Sequence, residues 1–281
     1  MALLISCETG GQCVPAHLVS PNLPVLAMDT PVAIDAIAPA PGKSARHKGV
    51  KTKSRKTAAA GGDGTFTAAP GGLPALIRGD AAGLYAARRI ARRLDVTLVE
   101  NNHSNALVDV TRSTRHRELF SPLARSWPEP DKHWLVDNIH TPYRNSVQNQ
   151  IESMLRSAPY VLHLSVRSFE LRSNGKLRRA DAGLLYDPKN ENEVDFSVDW
   201  VDDMYWELPM LRVRRNYPGR GTNDSLTKAM RTQFDGRPYI GVELRLNRAW
   251  VGRPLAVRDE VLDGIADSLD QLLAASQSEA A

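Results

Sequence analysis

Seven short apolar runs, most of them separated by a helical pattern, constrain this chain more than any other feature. The clearest is YVLHLSV at 160–166, β-branched and apolar, bounded by Pro159 and followed by the polar Arg167-Ser168. Such a run reads as a buried strand that delivers side chains to the edge of a sheet. LLISC (3–7), VTLVE (96–100), NALVDV (105–110), AGLLYD (182–187), MLRVRR (210–215) and YIGVELRL (239–246) are the others. GDAAGLYAARRIARRL places Leu84, Ala87, Ala91 and Leu94 on one face with arginines elsewhere, the pattern of an amphipathic helix covering a sheet. Lys132 to Arg156 reads as a long helix that Pro142 should break or kink. Further helices are expected near 192–206, 224–233 and 256–275. Strands alternating with helices predict an α/β three-layer sandwich around a mixed, mostly parallel central sheet.

The 281 residues predict one large domain, 1–281, interrupted at about 31–75 by a Pro/Gly/Ala-rich insertion without sustained periodicity, the composition of a disordered surface segment. Within it, residues 43–56 carry seven Lys or Arg and no acid, so the rest of the chain is slightly acidic although the total is +4. That balance argues against a nucleic-acid-binding core; the basic run itself predicts a solvated loop or weak contact with nucleic acid or another anionic surface. Cys7 and Cys13 have neither a zinc-site spacing nor the numbers of a disulfide scaffold. The N-terminus has no basic region before its short apolar run, and no stretch reaches membrane-spanning length, so a cytoplasmic protein without a membrane partner is expected. Nothing predicts the oligomeric state.

Ligands of open α/β sheets bind beyond the carboxyl ends of the strands. That rule singles out Glu8-Thr9, Asp109 to Arg112, Arg167-Ser168, Asp187, and Glu243 with Asn247. Glu243 interrupts an apolar strand, so it either faces a site with a charged partner or points to solvent. His163, Ser165 and Arg167 share one strand face, where His163 is either a hydrogen-bonded core residue or a functional one. Two arginine clusters follow strands: Arg112, Arg115 and Arg117 beside Asp109, and Arg215 and Arg220 beside Asp224 in a Gly/Pro loop. A guanidinium fork suits a carboxylate-bearing ligand, and ordinary surface ion pairs are the alternative. No nucleophile elbow, phosphate loop, dinucleotide fingerprint or HExxH motif is present.

Taken together, LLISCETGGQCVP, the Gly79–Leu94 helix, NALVDVTRS with RHRELFS, PYRNSVQNQIESML, VLHLSVRSF, DAGLLYDP, RRNYPGRGTNDSLTKAMRTQF and YIGVELRLN resemble, in order, the N-formylglutamate amidohydrolase family, whose fold is zinc-carboxypeptidase-like. The resemblance covers most of the chain outside 31–75. It implies zinc-assisted hydrolysis of the amide of an N-acylated acidic amino acid, with Glu243 matching the general base. It also implies substrate binding by Arg112, with Asp109, Arg215, Arg220 and Asn247 as further candidates. Arg112 falls in the family's Asp-x-Asn-Arg motif, although Thr111 stands where Asn is usual.

The departures fall on the metal. Where the family shows two presumptive histidine ligands this chain has Thr9 and Arg167, leaving Glu8, Asp80 and His163 as a residual ligand set. Threonine is a poor zinc ligand and arginine cannot be one. Arg167 is therefore expected to substitute structurally for the metal by pairing with Glu8, Asp80 or Glu243. Two readings follow: an amidohydrolase with a degraded zinc site, or a catalytically silent relative that binds a small acidic metabolite or a partner through an arginine-lined pocket.

Overall fold

A computed structural model describes residues 1–18 and 79–278. The expected insertion at 31–75 and its basic run lie outside the described residues. Six strands form one sheet: β1 (Ala2–Cys7), β2 (Thr97–Glu100), β3 (Val161–Phe169), β6 (Ala182–Leu185), β7 (Val213–Arg215) and β8 (Tyr239–Asn247). The order is β2-β1-β3-β8-β6-β7, and every adjacent pair is parallel except β6 with β8. Two further two-residue strands, β4 (Arg172–Ser173) and β5 (Lys176–Leu177), make a small antiparallel ribbon. This is the mixed, mostly parallel α/β architecture that the alternating pattern predicts.

Strand alternation sends successive side chains to two helical layers. Leu3, Ile5, Leu162, Leu164, Val166, Ile240, Val242 and Leu244 pack with α1 (Ala81–Leu94), α5 (Glu191–Glu207) and α7 (Leu255–Ser278). Leu4, Val161 and Tyr239 face the other layer, formed by α2 (Pro122–Arg125), α3 (Glu129–Leu135), α4 (Thr141–Met154) and α6 (Leu226–Gln233). The amphipathic α1 buries Ala86, Ala87, Ile90 and Ala91, and its Arg89 and Arg93 pair with Asp259, Asp263 and Asp267 spaced four apart on α7.

Two sequence expectations are corrected, and a third, the interruption of the long helix at Pro142, is met. NALVDV is a turn-rich segment with a single bridge, Val108 to Phe120, rather than a strand. Its Leu107, Val108 and Val110 are fully buried, so the apolar run reports burial alone, while Asn101, Asn105 and Asp109 hydrogen-bond to one another and fix the loop. The long helix at 132–156 divides into α3 and α4 around a π turn at Val136–His140. That wider turn sits just before Pro142, in the first turn of α4, and accommodates a residue without an amide hydrogen. Finally, β6 runs antiparallel to β8, which sends Asp187 to the opposite edge of the sheet from Glu8. There it lines a separate pocket of about 340 Å³ with Lys189, Asn190, Arg231 and Arg237.

Candidate functional site

The carboxyl ends of β1, β3 and β8 carry a stripe of polar residues on the α4/α6 face. The register places Ser6 beside Ser165, Ser165 beside Glu243, and Arg167 beside Arg245. Glu8 follows β1 directly. The turn that follows, Gly10-Gly11, runs close to its neighbours: a Cβ on Gly11 would come within 2.5 Å of the Asn101 carbonyl oxygen, and a Cβ on Gly79 within 2.4 Å of the carbonyl oxygens of both turn glycines, so Gly11 and Gly79 have no room for a side chain.

Glu8 is fully buried and Glu243 is 1% exposed. Ser6 and Ser165 donate to the two carboxylate oxygens of Glu8 at 2.6 and 2.8 Å. Arg167 lies between the two acids, its Nη2 donating to Glu243 at 2.9 Å and its Nε 3.6 Å from Glu8. Arg245 donates to the same oxygen of Glu243 from Nε (3.0 Å) and Nη2 (2.5 Å), and Thr227, in the first turn of α6, donates to the other at 2.9 Å. Burial alone would raise the pKa of Glu243, but Arg245 and Arg167 outweigh it and hold the carboxyl well below its usual range. Burial opposes the charge on Arg167 too, and Glu243 and Glu8 reverse that effect, so the guanidinium stays charged.

Asp80 takes another role. It caps α1 by accepting from the amide of Gly83 at 3.0 Å, and it accepts from the amide and hydroxyl of Ser168 at 2.6 and 2.5 Å. Among the described residues it forms an ion pair with Arg248, at 3.6 Å. Thr9 donates to Asp80 at 3.3 Å. His163 is a core residue: its Nε2 bonds Ser6 and its Nδ1 bonds the Tyr239 hydroxyl, both at 2.8 Å. Burial pushes its pKa down to about 3, so the ring is neutral.

Arg167, Arg245 and Glu243 form one wall of a pocket of about 220 Å³ whose mouth is made by Asp109, Arg112, Arg220 and Asp224. Arg112 donates to the backbone of Asp224 at 3.1 Å and lies 3.5 Å from Asp109. The carbonyl of Arg112 accepts from His140, in the π turn, at 2.8 Å and from Arg144 of α4 at 3.1 Å, so the second layer fixes its backbone. Asp224 is engaged by the amide and hydroxyl of Ser113.

Of the sequence candidates, the structure brings Glu243, Arg112, Asp109, Arg220 and Arg167 to one pocket. Two of the substrate-binding candidates lie outside this pocket. Arg215 is exposed on the edge strand β7 and does not line the pocket. Asn247 is spent on backbone, donating to Arg178 and Ala180 and capping the turn at Ala249. Arg245, Thr227 and Ser6 are not singled out by the sequence, which does place Ser165 on one strand face with His163 and Arg167. The signal for Arg245 was present: in GVELRLN it stands two residues after Glu243, and strand alternation puts both on one face.

A zinc ion does not fit these residues. Among the described residues no group of three or more His, Cys, Asp or Glu is arranged to hold a metal. The expected residual set is divided instead: Glu8 belongs to the arginine cluster, Asp80 to the helix cap and His163 to the core, with both ring nitrogens bonded.

Fold and site together define an α/β three-layer protein with a carboxylate–arginine cluster at its strand ends. No protein-family model matches the chain, and no curated protein is detectably similar in sequence. Two solved structures are similar across nearly the whole chain. A gene product from Agrobacterium tumefaciens is 15% identical with a TM-score of 0.66, over 98% of this chain and 91% of that one. N-formylglutamate amidohydrolase from Ralstonia eutropha is 14% identical with a TM-score of 0.60, over 99% of this chain and 94% of that one. The chain therefore has the fold of that amidohydrolase. No helix among the described residues is long and apolar enough to cross a membrane.

Proposed function

We propose that the protein binds a small acidic metabolite through the arginine-lined pocket, as a relative of the amidohydrolases that does not use zinc. The observation that carries this reading is the pocket's charge: four arginines and three acids line it, and each acid already has partners inside the protein. Arg220 is exposed at the mouth and makes no ion pair among the described residues. A ligand carboxylate is the natural complement of such a surface.

Calorimetric titration with N-formylglutamate tests it. Wild type is expected to bind saturably, and Arg112→Ala to lose about 2 kcal/mol of binding free energy. Unchanged affinity in that variant would make Arg112 a surface decoration.

Hydrolysis of an N-acylated acidic amino acid is the second reading, favoured by the likeness to N-formylglutamate amidohydrolase over 99% of this chain. Glu243 would be its base, and the two arginines that hold its proton affinity down weigh against that role. Formate released from N-formylglutamate by wild type and lost in Glu243→Gln would establish it.

A further inference from the structure

We propose that the Arg167 guanidinium is a built-in cation standing where a metal ion would sit, held by Glu8 and Glu243 and offering its remaining donors to an anionic oxygen of a carboxylate ligand. The ligand half of this proposal rests on the pocket reading above. Three observations support it.

The first is lone-pair occupancy. Each oxygen of Glu8, Glu243 and Asp80 already accepts from a protein donor, and both nitrogens of His163 are bonded. A metal would have to break several buried hydrogen bonds to gain any one ligand. The second is charge. The buried carboxylates of Glu8 and Glu243 are matched by the guanidiniums of Arg167 and Arg245, so the cluster is neutral without an ion, and a dication would leave it strongly positive.

The third is the spare capacity of Arg167. A guanidinium has five N–H donors. Among the described residues this one makes a single hydrogen bond, through Nη2 to Glu243, and its Nε is buried without a hydrogen-bond partner. Arg167 is 9% exposed and lines the pocket. Unsatisfied donors of a buried cation are costly unless an acceptor arrives from outside, and a carboxylate oxygen is the strongest acceptor available. Arginine supplies what a metal would supply to such a ligand, a fixed positive charge, without a coordination shell to assemble. It cannot activate a bound water as a metal does.

The experiment is a pair of calorimetric titrations, one with N-formylglutamate and glutarate, one with zinc chloride. Wild type is expected to bind the dicarboxylates and to take up no zinc. Arg167→Lys keeps the charge but loses the fork, and should weaken dicarboxylate binding by roughly tenfold or more; Arg167→Met should abolish it. Arg167→Lys carries the test if the methionine variant does not fold. One zinc bound per chain, or ligand affinity unchanged in Arg167→Lys, would overturn the proposal. If wild type binds neither dicarboxylate, the pocket reading and the ligand half fall together, whereas zinc uptake overturns the cation alone.

Discussion

The two faces of β1, β3 and β8 are built from alternate residues of the same three segments, yet they obey different physics. On one face Ile5, Leu164 and Val242 are fully buried among apolar neighbours of α1, α5 and α7. On the other, Ser6, Glu8, Ser165, Arg167 and Glu243 are buried almost as completely, but each is held by a specific polar partner. The apolar face tolerates loss in proportion to the volume removed. The polar face is all-or-none, because removing one member leaves a desolvated charge unmatched. Dense buried polarity of this kind is a poor way to gain stability, which makes its concentration at one sheet edge a mark of function.

This contrast predicts a ranking. Arg167→Met should cost about 4 kcal/mol in urea denaturation, the cost of stranding buried carboxylates. Leu164→Ala, on the apolar face of the same strand, should cost about 3 kcal/mol through its cavity. If the leucine variant is much the more damaging, the polar face is not as tightly matched as its geometry implies.

Acid should also discriminate between the faces. The folded His163 resists protonation until about pH 3, whereas the unfolded chain takes up that proton below its ordinary value of 6.5. Stability is therefore fully present above pH 6.5 and falls as pH drops toward 3, by about 1.4 kcal/mol per pH unit from this group. Denaturation midpoints at pH 7 and pH 5 measure the slope, and His163→Gln should flatten it. The smallest effect is expected outside both faces. Arg93 and Asp267 form an exposed ion pair, and Arg93→Ala should leave the midpoint unchanged within error.

The apolar face was largely legible in the sequence. YVLHLSV, LLISC and YIGVELRL are strands because continuous β-branched and apolar residues leave them little alternative, and α1 follows from its arginine-free stripe. Two features were not legible locally. The antiparallel placement of β6 depends on how its chain returns to the sheet, and nothing in AGLLYD encodes direction. NALVDV has a strand's composition, but its backbone bonds go to turns, to Leu119 and to the side chains of Ser121 and Arg144 rather than to a neighbouring strand. In the site, Arg220 stands out from its position after a strand and Glu243 as an acid inside an apolar one, whereas Asp109 and Arg112 reach the pocket from a buried loop that only has a strand's composition. Arg215 and Asn247 lie outside the pocket for different reasons: Arg215 is exposed on the edge strand β7, and Asn247 shares the strand end of Glu243 but its amide is taken up by backbone groups. The partners of Arg167 depended on register: Glu8 and Glu243 reach it, whereas Asp80 is drawn away by the first turn of α1.

The pairing itself is open to a double-mutant cycle between Arg167→Met and Glu8→Gln, followed by urea denaturation. If Arg167 is the counter-ion of Glu8, neutralising both must cost less than the sum of the single losses, with a coupling of at least about 1 kcal/mol. Strictly additive losses would show that Glu8 is compensated by something other than Arg167 and would contradict the built-in cation.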